Sequence, residues 1–259
     1  MTRSKNKKGY TTIPLGTTRR MVIASVNSNK KNAIHCMTQI DITVPRKRIR
    51  EYFEQTGTKL SFTAYIVKCF AETIKDHPNL NSFIKGRKII LLDDINISVL
   101  IEREIDNQKI PEPLGLHHTD RKSVQEITAE IREAQQNKGN ELGDLGNTRW
   151  IRLIPPFLMR TFIRIADRNI TMAKRYGKIA VTAVGMNSKS ASWFIPHGTA
   201  TVLLTVGSFE NKVVEVDGKF VTREHLCLTT SFDHEIVDGS PAGRFMKQFA
   251  EIVESSSLL

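Results

Sequence analysis

The residue types that could do chemistry gather around His234. From Thr229 to Gly243 the chain reads TTSFDHEIVDGSPAG, which sets one imidazole at the end of an apolar run and directly before a helix start. An imidazole titrates near neutrality, so a histidine held in fixed geometry can take a proton from an attacking nucleophile and later return it. The competing reading is a strand-end histidine with both ring nitrogens satisfied, and spacing alone does not choose between the two.

Two elements must position that histidine. Upstream, the alternation in His225, Leu226, Cys227 and Leu228 and the β-branched pair Thr229 and Thr230 predict a strand running into Ser231 and Phe232. Downstream, Gly239 allows a sharp turn, Ser240 can cap a helix and Pro241 suits its first position, while Phe245, Met246, Phe249, Ile252 and Val253 share one helical face. Other reactive side chains are less organised. Cys36, Cys69 and Cys227 lie far apart inside apolar elements, which predicts free buried thiols and neither disulfides nor a metal site. His117 and His118 are adjacent and would point apart on a strand, so they make a poor metal pair.

The chain of 259 residues is long enough for one large domain, and 40% hydrophobic with 25% charged residues is an ordinary soluble composition. No run approaches the ~20 apolar residues of a membrane span and the N-terminus lacks an apolar signal core, from which a cytoplasmic protein is expected. A net charge of +11 attracts anions: nucleic acid, an anionic membrane, or a polyphosphate such as coenzyme A. No zinc-ligand spacing, RNP-like strand or Walker loop accompanies the charge, so nucleic acid is not favoured. Part of the excess sits in Arg3, Lys5, Lys7 and Lys8, within a loose basic tail predicted over residues 1–12.

The run SFDHEIVDGSPAGRF, Ser231 to Phe245, resembles the active-site segment of the dihydrolipoamide acyltransferase core of 2-oxoacid dehydrogenase complexes, S-F-D-H-x-x-x-D-G-A. Chloramphenicol acetyltransferase shares the H-x-x-x-D-G element. A second region, KLSFTAYIVK at Lys59 to Lys68 followed by PNLN at Pro78 to Asn81, is similar to the same family's scaffold, as are the Pro14 to Arg20 opening, NISVLI at Asn96 to Ile101 and WFIP at Trp193 to Pro196. GKIAVTAVGM, Gly177 to Met186, resembles a family strand in which Thr182 takes the place of a hydroxyl donor to the oxyanion, with Ala183 where asparagine is usual.

The resemblance implies an α/β fold, a two-layer sandwich with a large mixed β-sheet of the CoA-dependent acyltransferase (chloramphenicol acetyltransferase-like) type, over nearly all of residues 13–255. It implies His234 as general base, Thr182 as oxyanion stabiliser, and Asp238 of the Asp238-Gly239 pair tied to Arg19 or Arg20. It also implies a homotrimer with sites between subunits, coenzyme A or acyl-CoA as substrate, no bound lipoyl group and no metal. The acceptor is left open among a separate lipoyl protein, a carrier protein and a small metabolite, and a stand-alone enzyme is the preferred form.

Elsewhere, helical spacing predicts helices behind Thr17 or Thr18, around Arg46 to Gln55, from Leu60 to Pro78, and from Ser123 to Gln136, where Glu126 completes a capping box. His35 to Val44 reads as a half-buried strand, with His35 ordering the strand and standing outside the site. Pro111 and Pro113 argue against a regular central strand after Ile101. One domain is predicted over 13–259, with an inserted basic amphipathic segment at about 147–176 that carries Phe157, Leu158, Phe162, Ile163 and Ile165 beside Arg160, Arg164 and Arg168. A partner-binding helix, a lid over the substrate channel, or, least favoured, peripheral membrane contact would each use that pattern. Two further function classes compete with catalysis: a noncatalytic trimeric scaffold, and charge-driven binding to nucleic acid or membrane.

Overall fold

Long stretches that alternate with period two build a six-stranded sheet, and helices with one apolar stripe cover one of its faces. The computed structural model describes residues 4–5, 10–12, 17–28, 31–105, 108–136, 156–185, 188 and 190–259. Strands β1 (Ser4–Lys5) and β2 (Thr11–Thr12) pair with each other, so part of the expected loose tail is a short antiparallel ladder. Helix α1 (Thr17–Ser28) leads to β3 (Ala33–Asp41), α2 (Thr43–Thr56), α3 (Phe62–Lys75) and the hairpin β4 (Ser82–Lys85) and β5 (Lys88–Leu91). Then come β6 (Ile97–Ile105), β7 (Gln108–Leu116), α4 (Val124–Gln136), α5 (Pro156–Asp167), α6 (Ile170–Tyr176), β8 (Ile179–Ala183), β9 (Val202–Val216), β10 (Lys219–Asp233) and α7 (Gly239–Ser255).

The sheet order is β3-β10-β9-β8-β6-β7, with β8 parallel to both β6 and β9 and the remaining pairs antiparallel. It is the mixed sheet expected. Leu226, Leu228 and Phe232 of β10 point to the helix layer, as do Val202, Leu204 and Val206 of β9 and Ile179 and Val181 of β8. There they meet α3, whose Phe70 packs edge-on against Phe245 and Phe249 of α7 at ring-centroid distances of 5.4 and 5.2 Å. Tyr65 Oη donates to Val253 O at 2.6 Å, so this buried phenol is satisfied and α3 is locked to α7. Ser61 caps α3 through Ala64 N, and Ser123 and Glu126 form the reciprocal capping box of α4.

The opposite sheet face is only partly covered. It presents Met37, Leu100, Leu203, Thr182, Thr205, Thr229 and Ser231, crossed by the 190–200 segment, where Trp193 Nε1 donates to Thr38 O at 3.1 Å. Residues 108–116 form a nine-residue strand despite Pro111 and Pro113. β7 is the edge of the sheet, where the missing N–H groups need no partner.

Candidate active site

His234 follows β10 directly, and its place is fixed from both sides. Its backbone N–H donates to Asn32 O at 2.7 Å, and Asp233 O accepts from Ile236 and Val237 N–H at 3.0 and 2.9 Å to close a tight turn. The Asp233 carboxylate, 4% exposed, receives Lys31 Nζ at 2.6 Å and Glu235 N–H at 3.2 Å. That turn brings His234 Nδ1 to 3.0 Å from Val237 O. A carbonyl only accepts, so Nδ1 donates, and in the neutral ring this tautomer leaves the lone pair on Nε2. The ring is about half exposed and lines a cavity of about 710 Å³ with His35, Asp233 and His197.

Thr182 lies on β8, buried, with its side chain on the partly covered sheet face. It pairs in register with Thr205 of β9, which pairs in turn with Thr229 of β10. His234 stands five positions beyond Thr229, so within one chain it lies ~17 Å along the strand direction and ~10 Å across it from Thr182. The two side chains do not line one cavity: Thr182 lines a neighbouring one of about 660 Å³ with Leu100, Ile163, Met172 and Phe194, and the two cavities meet at Pro196, His197, Gly198, Ala200 and Leu203, which line both. Beyond the end of β8, a cleft of about 820 Å³ carries Arg46, Arg50, Lys59 and Arg132 against the one acidic residue Glu102, and it shares Leu100 and Val184 with the Thr182 cavity.

A family model described as 2-oxoacid dehydrogenases acyltransferase (catalytic domain) matches residues 7–142 and 169–259. The chain belongs to that family. Among similar proteins is the lipoamide acyltransferase component of the branched-chain α-keto acid dehydrogenase complex of Bacillus subtilis, 25% identical over 94% of this chain and 52% of that protein. The chain thus spans about half the length of the curated relatives it matches. A probable dihydrolipoamide acetyltransferase from Listeria monocytogenes has the same fold, with a TM-score of 0.70 at 23% identity over 96% of both chains. The cubic core of the pyruvate dehydrogenase multienzyme complex follows at 0.68 and 19% identity, over 96% of this chain and 93% of that one.

Within this acyltransferase domain, several sequence expectations need correction. Asp238 is the N-cap of α7, in place of the expected Ser240, and its side chain is 86% exposed with Oδ1 3.8 Å from His234 Nδ1. Among the described residues it forms no ion pair with Arg19 or Arg20, which lie on α1. Gly239 does not make the turn: its φ is not positive and a Cβ there would meet nothing within 4 Å. The turn is made by the carbonyl of Asp233. His35, set aside in the sequence, lines the His234 cavity and shares a 2.8 Å hydrogen bond with Ser231 Oγ. Lys31 and Asp233 were missed altogether as supports of the site. His117 and His118 are exposed; His118 Nδ1 lies 3.2 Å from Asp94, and no cluster of metal ligands forms among the described residues.

Proposed function

We propose that the chain transfers an acyl group between the thiol of coenzyme A and a second nucleophile, with His234 as general base and Thr182 of a neighbouring copy as hydrogen-bond donor to the oxyanion. The observation that carries this reading is the Nδ1 contact to Val237 O at 3.0 Å, which in the neutral ring makes Nε2 the nitrogen able to take a proton, on a side chain that lines a cavity. A base so held removes the thiol proton as sulfur attacks the thioester carbonyl. The tetrahedral oxyanion then accepts a hydrogen bond from the Thr182 hydroxyl and collapses. The departing thiolate takes the proton back from the imidazolium, so protons balance and no metal is required.

The in-chain separation of ~17 Å along the strands supports a site shared between copies, because no acyl group could touch both side chains of one chain. The partly covered sheet face also leaves Met37, Leu100, Val184, Phe194 and Ile195 exposed, as an interface between copies would require. A homotrimer is the form we assign. The Arg50 and Lys59 cleft is the natural seat for the phosphates of coenzyme A. Relatives named for lipoamide acyltransferase make dihydrolipoamide the first acceptor to try.

The test is release of CoA from an acyl-CoA panel in the presence of dihydrolipoamide, simple amines and alcohols. His234→Ala should lower kcat by ~10²- to 10⁴-fold without loss of acyl-CoA binding. Absence of both turnover and acyl-CoA binding would sink the catalytic reading and leave a scaffold.

A further inference from the structure

We infer that α5 and α6 wall an acyl-chain pocket next to Thr182, and that the chain transfers an uncharged acyl group of four or more carbons in preference to acetyl. The inference rests on the acyl-transfer reading, because it sets the thioester carbonyl at Thr182.

The cavity of about 660 Å³ over Thr182 falls in the range that encloses a drug-sized ligand. Its larger lining side chains include Leu100, Ile163, Met172, Tyr176 and Phe194, with His197 and the Asp167–Lys178 pair among the polar ones. An acetyl methyl would leave most of that space unfilled, and apolar walls gain nothing from the water that would take its place. The floor holds Thr182 and, paired beside it, Thr205, which is 1% exposed with a hydroxyl that finds no hydrogen-bond partner among the described residues. A buried donor without a partner at the floor of a mainly apolar cavity suits a site whose polar partner arrives with the ligand. A thioester carbonyl set beside Thr182 supplies one.

The charged groups at the rim are spent on each other. Lys178 Nζ lies 2.6 Å from Asp167 Oδ1, donates to Asp167 O at 2.5 Å and sits 5.0 Å over the Phe83 ring. Burial pushes the Lys178 ammonium below the ordinary lysine range, and Asp167 opposes that shift. Among the described residues that line the pocket, the one lysine is thus paired with Asp167 and the remaining basic side chain is His197, so no unpaired ammonium or guanidinium faces an acyl group that ends in a carboxylate.

The wall is also this chain's own. The family model leaves residues 143–168 unmatched, and Ile163, Ala166 and Asp167 come from that stretch. It is fixed in place: the Asp167–Lys178 pair ties α5 to the start of β8, and Asn169 caps α6 through Thr171 and Met172 N–H at 2.8 and 3.2 Å. Asn96 Nδ2 donates to Lys174 O at 2.7 Å, and at Gly177, φ +73°, a Cβ would come within 1.8 Å of Asn96 O. Only glycine lets α6 dock this closely on β6.

The experiment is calorimetric titration of the full chain with CoA, acetyl-CoA, hexanoyl-CoA and succinyl-CoA, beside turnover of the same thioesters. Full burial is worth about fourfold in affinity per methylene, so hexanoyl-CoA should bind at least ~10-fold more tightly than acetyl-CoA, and succinyl-CoA no more tightly than acetyl-CoA. Ile163→Trp, or the milder Ala166→Leu if the first variant does not fold, should erase the gain of hexanoyl-CoA over acetyl-CoA; Ile165→Ala, on the exposed side of α5, should keep that gain in full. Equal affinity for acetyl- and hexanoyl-CoA, or a hexanoyl gain that survives both filled variants, would overturn the pocket. A hexanoyl gain without turnover of any thioester would uphold the pocket and count against the acyl-transfer reading. Turnover without a gain would do the reverse.

Discussion

Asp233 and Lys31 decide whether His234 is a fixed base or a loose surface ring. The carboxylate is 4% exposed and Lys31 Nζ sits on it at 2.6 Å, while the same residue's carbonyl shapes the turn that brings Val237 O to His234 Nδ1. Lys31→Ala should leave a buried charge with only the Glu235 N–H against it, costing about 3 kcal/mol of stability and lowering kcat more than KM is raised. Denaturant titration and steady-state kinetics check both halves, and an unchanged midpoint would show the pair to be dispensable. Thr182→Val is the complementary change at the other end of the site: loss of one oxyanion donor should cost ~10²- to 10³-fold in kcat with KM nearly constant. His234 was legible because strand, turn and helix signals fall within a few residues of it. Lys31 was not, since its partner lies at the far end of the chain and long-range ion pairs leave no local pattern. The motif glycine shows the opposite hazard: Gly239 looked like the turn-maker, yet its backbone is unstrained and its surroundings are open.

Among the elements, those with one strong local signal were readable and those that depend on sheet position were not. The period of α3 and the capping box of α4 are written in adjacent residues, and both formed. The proline-bearing β7 could be recognised as a strand only by knowing that it would lie at the sheet edge. Likewise α5 read as an amphipathic helix, but which face would meet the Thr182 cavity depended on the Asp167–Lys178 contact across the start of β8. That contact makes a prediction at this scale. Both partners are nearly buried, at 6% and 13% exposure, so Asp167→Asn removes the carboxylate in contact with Lys178, leaving the more distant Asp233 to oppose its charge, and should cost about 3 kcal/mol. Hydrogen exchange should report faster exchange concentrated in 156–167, with the α3–α7 pair unchanged; slowed or uniform exchange would refute the anchoring role. The cleft on the helix side of β8 is governed by charge instead of packing. Arg50→Glu should raise KM for acyl-CoA by ~10-fold at low ionic strength, and the difference should shrink as salt is added, because exposed charges are screened over a Debye length of ~10 Å at 0.1 M.

For the molecule as a whole, the decisive fact is that the two residues assigned to one reaction sit apart on the same sheet. The register that pairs Thr182 with Thr205 and Thr205 with Thr229 leaves His234 ~17 Å further along, and strands in a sheet cannot slip by five residues without moving every side chain between the layers. Rearrangement within one chain therefore does not bring the two side chains together, and under the proposed reading a second copy laid against the exposed apolar face would. Mixing two inactive variants tests this directly. His234→Ala keeps Thr182 and Thr182→Val keeps His234; if each site draws one residue from each of two copies, random reassembly of equal amounts from dissociated subunits pairs the intact residues at about one site in four and should restore ~25% of wild-type turnover. Sites contained within single chains would remain inactive at every mixing ratio, since each copy still carries one of the two lesions. The parabolic dependence of recovered activity on the fraction of either variant, highest at equal amounts, separates shared sites from traces of contaminating enzyme, whose contribution would change at most linearly with that fraction.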